Sequence, residues 1–194
     1  MDESKLFLTG DLHLGHKRIL TYEKEYRNYS TIEAMHEAII YNWNKKIKDT
    51  DKTMILGDLT FTNQKNTTDI ISKLNGIKYL IKGNHDVRTN QWYRDCGIKE
   101  VYDYPIIINN YFLLSHEPFL YLKEPFINIH AHVHSSKNFL TFTPTSVCVS
   151  MERWGMSPVS LLTIMLNRER LDRRLEKTMQ SFTKDLNIVK GEQK

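Results

Sequence analysis

The sequence predicts an α+β fold with an α/β-like first half, and three observations predict it. Short apolar runs rich in Ile, Leu, Val, Phe and Tyr, each closed by turn residues, recur along the chain and read as buried strands. An amphipathic segment at helical spacing separates the first two runs. After about residue 100 the strand–helix alternation gives way to a hairpin pattern.

The strand-like runs are Lys5–Thr9, Thr53–Leu56, Lys78–Ile81, Tyr111–Leu114, Phe126–Ile129 and Val147–Val149. Between the first two, Ser30 is placed to cap a helix and Glu33, three residues later, to complete a capping box. Ile32, Met35, Ile39, Trp43 and Ile47 give that helix one apolar face. A shorter helix is expected from about Thr68 to Leu74, with Gly76 just past its end. Strand, helix, strand, helix, strand is the order of a sheet with parallel neighbours. Ile106–Ile108 and Tyr111–Ser115 flank Asn109 and Asn110 as a hairpin, so the second half reads as more antiparallel. From Leu166, charged residues interleave with Leu171, Leu175, Met179, Phe182 and Leu186 as in an amphipathic helix. The expected organisation is a domain over 1–165 followed by a C-terminal helix or tail over 166–194. That tail packs on its own domain or forms a homodimer contact.

Composition narrows the class. A chain of 194 residues suits one domain with a real core. Hydrophobic residues at 40% and charged residues at 26% are ordinary for a soluble globular protein. No apolar stretch approaches the roughly 18 residues that span a bilayer, so no membrane partner is expected. The charged start runs straight into a short strand, unlike a secretory signal, and the expected location is the cytoplasm. Cys96 and Cys148 lack a CxxC partner and are expected as reduced, buried thiols. The net charge of +4 allows a phosphate-bearing substrate without demanding nucleic acid. Nothing in the chain calls for an obligatory protein partner.

The informative pattern is where the polar residues fall. Asp11 and His13 follow the first apolar run, Asp58 the second, Asn84 and His85 the third, His116 the fourth, and His132 and His134 the fifth. In α/β sheets the carboxyl ends of strands meet at one edge, where ligands bind. Gly10, Gly57 and Gly83, just before three of these blocks, allow sharp turns and close approach. Two carboxylates, one amide and four imidazoles without thiolates suit Mn²⁺, with Fe, Zn²⁺ or Ni²⁺ as alternatives, better than Ca²⁺ or an iron–sulfur cluster. Such a set exceeds one tetrahedral ion and fits two ions sharing a carboxylate. Two divalent cations, two aspartates and a bridging hydroxide leave a net positive centre, suited to phosphoester hydrolysis.

Asp11-Leu12-His13, Gly57-Asp58, Gly83-Asn84-His85-Asp86, His116 and Ala131-His132-Val133-His134 together resemble the calcineurin-like metallophosphoesterase superfamily. Its pattern is D-x-H, G-D, G-N-H-[DE], H, then G-H-x-H, and the match spans about residues 5 to 150. The chain is most similar to the small, single-domain bacterial and phage members, through Asp11 to His16 and Pro158-Val159-Ser160-Leu161. The resemblance implies a four-layer sandwich of two mixed β-sheets flanked by helices. It implies that Asp11, His13 and His134 hold one metal, that Asn84, His116 and His132 hold a second, and that Asp58 bridges them. His85 would contact substrate and protonate the leaving oxygen. Two departures stand out: Ala131 replaces the usual glycine, and Phe61 stands where many phosphoprotein-phosphatase-like members carry the aspartate that supports the catalytic histidine.

The remaining candidates carry less. His16 and Arg88 are placed to reach a substrate phosphate. His130 either orients a ligand imidazole or is a core residue, and His36 reads as structural or exposed. The expected activity is phosphodiester hydrolysis at a dinuclear centre, on a phosphate ester such as a nucleotide or cyclic nucleotide. The alternatives are a nuclease on short or single-stranded nucleic acid, a small-metabolite phosphomonoesterase, and a non-catalytic scaffold. Retention of every ligand and of His85 disfavours the last.

Overall fold

A computed structural model of the chain describes residues 5–123, 125–170 and 173. The elements run β1 (Leu6–Thr9), α1 (Ile19–Tyr22), α2 (Ile32–Asn44), β2 (Lys52–Leu56), α3 (Gln64–Ile71), β3 (Ile77–Ile81) and α4 (Asn90–Asp95). They continue with β4 (Glu100–Tyr102), β5 (Ile106–Ile108), β6 (Phe112–Leu114), β7 (Ile127–His130), β8 (Ser146–Cys148), a 3₁₀ turn at Met151–Trp154 and β9 (Val159–Ser160). A last helix starts at residue 161 and is described to 170. The rest of the expected C-terminal helix, including Leu171, Leu175, Met179, Phe182 and Leu186, lies outside the described residues.

Two mixed sheets result. The five-stranded sheet has the order β4-β3-β2-β1-β9, parallel throughout except for β9. The four-stranded sheet has the order β5-β6-β7-β8. Side chains on successive strand residues point to opposite faces, and the burial follows that period. In β1 and β2, Leu6, Leu8, Met54 and Leu56 enter the core between the sheets, whereas Phe7 and Ile55 face the helices. Met35, Ile39 and Trp43 of α2 pack there, all fully buried. The expected α+β class and the sandwich of two mixed sheets flanked by helices are what the chain forms.

Several local expectations shift. The α2 cap is Thr31, not Ser30: its side chain accepts from the Ala34 N–H at 3.1 Å. The helix therefore starts at Ile32, Glu33 falls one position short of the third, and the expected capping box does not form. Helix α3 starts at Gln64 under an Asn63 cap, earlier than expected, because Gln64, Lys65 and Asn66 add no apolar residue to the pattern. The hairpin is present, with Asn109 and Asn110 at φ 53° and 54°, the turn its strand twist favours. The second sheet is nonetheless mostly parallel, β6-β7-β8, since the connections between those strands are long enough to cross over.

Candidate active site

The site forms where the carboxyl ends of β1, β2, β3, β6 and β7 meet. Past their strands, the first two loops stay paired: Asp11 N–H bonds Gly57 O at 3.1 Å, and His13 N–H bonds Asp58 O at 2.9 Å. Gly57, at φ 81°, lets the chain turn beneath His116; a Cβ there would lie 2.2 Å from His116 Nδ1. Asp86 ties the neighbouring loop down. Its carboxylate accepts from the N–H groups of Asp58 at 2.7 Å, Leu59 at 3.1 Å and Gly83 at 2.9 Å, and from the Tyr93 hydroxyl at 3.2 Å.

Two groups of side chains have ligand atoms within 4.8 Å of one another: Asp11, His13 and His134, and Asp11, Asp58 and His116. Asp58 lies between them. Its Oδ2 is 3.5 Å from His13 Nε2, and its Oδ1 is 3.6 Å from His116 Nε2. On the second side, His116 Nε2 is 2.9 Å from Asn84 Oδ1 and 3.1 Å from His132 Nδ1. All seven expected ligand residues thus lie in one cluster, with Asp11, His13, Asp58 and His116 buried and Asn84 at the exposed rim.

The polar chemistry of this cluster fits cations. His116 Nδ1 faces the Leu56 carbonyl at 2.9 Å, which holds the ring proton there and turns a bare Nε2 towards Asn84 Oδ1, a second lone pair. His13 Nε2 is buried with no hydrogen-bond partner among the described residues. Burial pushes the Asp11 carboxyl up to about 6 and holds the His13 imidazole well below its usual range, with the nearby His134 adding to the latter. Converging lone pairs, an orphaned nitrogen and a desolvated carboxylate are the features a bound cation reconciles.

The backbone is unusual here too. Of the eight non-glycine residues with positive φ among the described residues, five are Asp11, His13, Asp58, His132 and His134. Asp and His enter this region more readily than most side chains, yet each such residue costs about 1–3 kcal/mol. Strain of this kind clusters where side chains must converge. Ala131, where the resemblance leads one to expect glycine, is not among them, and its Cβ is accommodated because Gly10 opposite has none.

Sequence reasoning missed Arg27 and Glu152. They form an ion pair at 2.6 Å with both side chains fully buried. Glu152 also lies 3.0 Å from His134 Nδ1, which leaves Nε2 of that ring for the cluster. Burial opposes the charge on both, but their hydrogen bond and Arg27 hold Glu152 down at about 2, and Glu152 with Asp11 raises His134 to about 9. Arg27 also donates to the Leu12 carbonyl at 3.1 Å and to that of Asp11. No local signal marks either residue; only their contact across the fold does.

The other candidates fall as follows. His85 sits exposed at the edge, its N–H bonded to Asp58 Oδ1 at 3.1 Å. No hydrogen bond reaches its ring among the described residues; instead Phe61 lies against it, centroids 5.1 Å apart. His16 stacks on Phe61 at 4.3 Å, with its Nδ1 3.2 Å from His13 Nδ1. Arg88 lies over the Trp92 ring at 5.8 Å. His130 bonds the Ala131 carbonyl at 2.9 Å rather than a ligand imidazole. His36, read as structural or exposed, accepts the Gly15 N–H at 2.9 Å and so steadies the loop after His13.

The fold and this cluster define a metal-dependent phosphoester hydrolase. Residues 4–172 match the model of the calcineurin-like phosphoesterases, and the chain belongs to that family. It is similar to an uncharacterized protein of Methanocaldococcus jannaschii, 32% identical over 170 residues, which covers 83% of this chain and 89% of that one. It is 36% identical over 87 residues to the gene 66 protein of Mycobacterium phage L5, 43% of this chain and 40% of that protein. Its fold matches the crystal structure of a protein of unknown function from Aquifex aeolicus with a TM-score of 0.66 and 25% identity, over 82% of this chain and 96% of that one. Among the described residues, no helix is long and apolar enough to cross a membrane.

Proposed function

We propose that the protein is a phosphodiesterase working with two divalent cations, Mn²⁺ in the first instance. Asp11, His13 and His134 would hold one, Asn84, His116 and His132 the other, and Asp58 would serve both. The observation that carries this reading is the carboxylate of Asp58, whose two oxygens each face an imidazole of a different group. When bound, the cations supply Lewis-acid polarisation of the phosphoryl group and a water whose pKa is lowered towards neutrality.

The chain's own residues do the rest. The Leu56 carbonyl and Glu152 fix the tautomers of His116 and His134, so each presents Nε2 without reorganisation. Water oxygen attacks phosphorus and releases one proton to solvent as the bond to the leaving oxygen breaks, while His85, at the exposed edge, gives that oxygen its proton and is reprotonated from solvent. Phe61, stacked on His16, lies against the His85 ring at this edge.

The test is metal analysis of protein purified without chelator, then stripping and Mn²⁺ reconstitution against a panel of aryl monoesters, aryl diesters, cyclic nucleotides and dinucleotides. The expected result is two ions per chain, loss of activity on stripping, and preference for diesters. Asp58→Ala should weaken both sites in calorimetric titration, whereas His134→Ala should weaken mainly one. Activity that survives stripping overturns the mechanism, and double occupancy in Asp58→Ala overturns the bridge.

A further inference from the structure

The metal cluster leaves one neighbouring feature without a role. Beside His85 opens a cavity of about 280 Å³, lined by Thr60, Phe61, Thr62, His85, Arg88 and Trp92. Its walls are aromatic on both sides. Phe61 is 39% exposed, and it is held in place by stacking on His16 at 4.3 Å and His13 at 5.1 Å. Trp92 projects from α4, packed edge-on against Tyr93, and the Arg88 guanidinium covers its ring. An exposed aromatic side chain at the mouth of a reaction site is informative where an exposed leucine elsewhere would not be.

We propose that this groove is the subsite for a nucleobase carried by the leaving oxygen of the phosphodiester, an inference that rests on the hydrolase reading above. His85 lines both the metal cluster and the groove, so the group attached to the oxygen it protonates lies next to Phe61 and Trp92. Flat π-faces are what aromatic walls recognise, and a planar guanidinium adds a second stacking surface while favouring a substrate that bears phosphate. The threonine hydroxyls of the walls are already engaged, Thr60 with Leu14 O and Thr67, and Thr62 as acceptor from the Asn66 side-chain amide. Recognition is therefore by stacking, tolerant of base identity. The cavity falls just below the roughly 300–1,000 Å³ of drug-sized ligand sites, which suits one base rather than an extended strand or an acyl chain. Phe61 thus has a positive use at the position where the resemblance to phosphoprotein-phosphatase-like members would place aspartate.

The experiment compares AMP with ribose 5-phosphate by calorimetric titration into the Mn²⁺-loaded protein. Both carry the same phosphate, and only one carries a base. Stacking on aromatic side chains makes AMP bind tighter by about 5- to 150-fold. Phe61→Leu and Trp92→Leu should each shrink that ratio several-fold, Trp92→Leu with metal content unchanged. Trp92 is the decisive position, since it does not touch a metal-ligand candidate and its replacement leaves the cluster alone. Equal affinities in the unaltered protein, or a ratio that survives Trp92→Leu, overturn the subsite. If that happens while Mn²⁺-dependent diester hydrolysis persists, the hydrolase reading stands; if no phosphate ester is hydrolysed at all, both fall.

Discussion

At His134 one ring nitrogen is committed to Glu152 and the other is left for the cluster, so a fully buried carboxylate governs how a ligand candidate is presented. Glu152→Gln is expected to lower affinity at one metal site by about 10- to 100-fold, the usual effect of losing the partner that orients a ligating imidazole. It should also destabilise the fold by about 3–5 kcal/mol, because Arg27 would remain buried without its counter-charge. Metal titration and denaturant melting of the same variant separate the two effects, and unchanged affinity would mean that His134 is directed by something else. His85 invites a different measurement. General-acid catalysis contributes about 10²–10⁴-fold, so His85→Ala should lose that much on a nucleotide diester, whose alkoxide leaves poorly. On a nitrophenyl diester, which leaves unaided, the loss should be small. Equal losses on both substrates, with metals retained, would assign His85 to phosphate-oxygen stabilisation.

Between strands and loops, the glycines decide whether ligands can meet. Gly57→Ala places a methyl group 2.2 Å from His116 Nδ1 and 2.7 Å from the Gly83 backbone, at a φ that side chains avoid. The expected outcome is a folded sheet with a displaced His116 and little metal bound, read by far-UV dichroism beside metal analysis; normal metal content would show that the loop can yield. This is also the level at which the sequence was most and least readable. Each ligand candidate follows an apolar run ending in a turn, so the strand-end pattern alone picked out Asp11, Asp58, Asn84, His116 and His132 as residues that meet in one cluster. Helices α1 and α4 are too short for a 3.6-residue period to emerge, and β4 and β9 too short for alternation. Arg27 and Glu152 were invisible for another reason: their pairing spans 125 residues, and neither lies in a periodic segment. The direction of β6, β7 and β8 depends on how long connections return, which local chemistry does not encode.

For the molecule as a whole, the reaction machinery ends well before the chain does. Every ligand candidate lies at or before His134, and among the described residues Glu152 and Arg153 are the last to bond one of them, through the ring and the carbonyl of His134. A chain stopped after residue 170 is therefore expected to fold, bind two ions and keep its activity, by metal analysis and diester hydrolysis; a folded, metal-loaded but inactive product would place a functional residue in the C-terminal segment. The left-handed ligand residues have a wider consequence. Glycine adopts without steric penalty the backbone that His132 holds at φ 69°. His132→Gly should thus leave the metal-free protein at least as heat-resistant as the parent, and fall behind only when Mn²⁺ is added. A bound ion at a hundred times its Kd contributes about 2.7 kcal/mol, which the glycine variant largely forgoes. Robustness of the empty fold and possession of the metal pull these positions in opposite directions. Screening for thermal tolerance in chelating buffer would drift towards glycine and silence the enzyme, whereas the same screen with Mn²⁺ would keep the bent histidines in place.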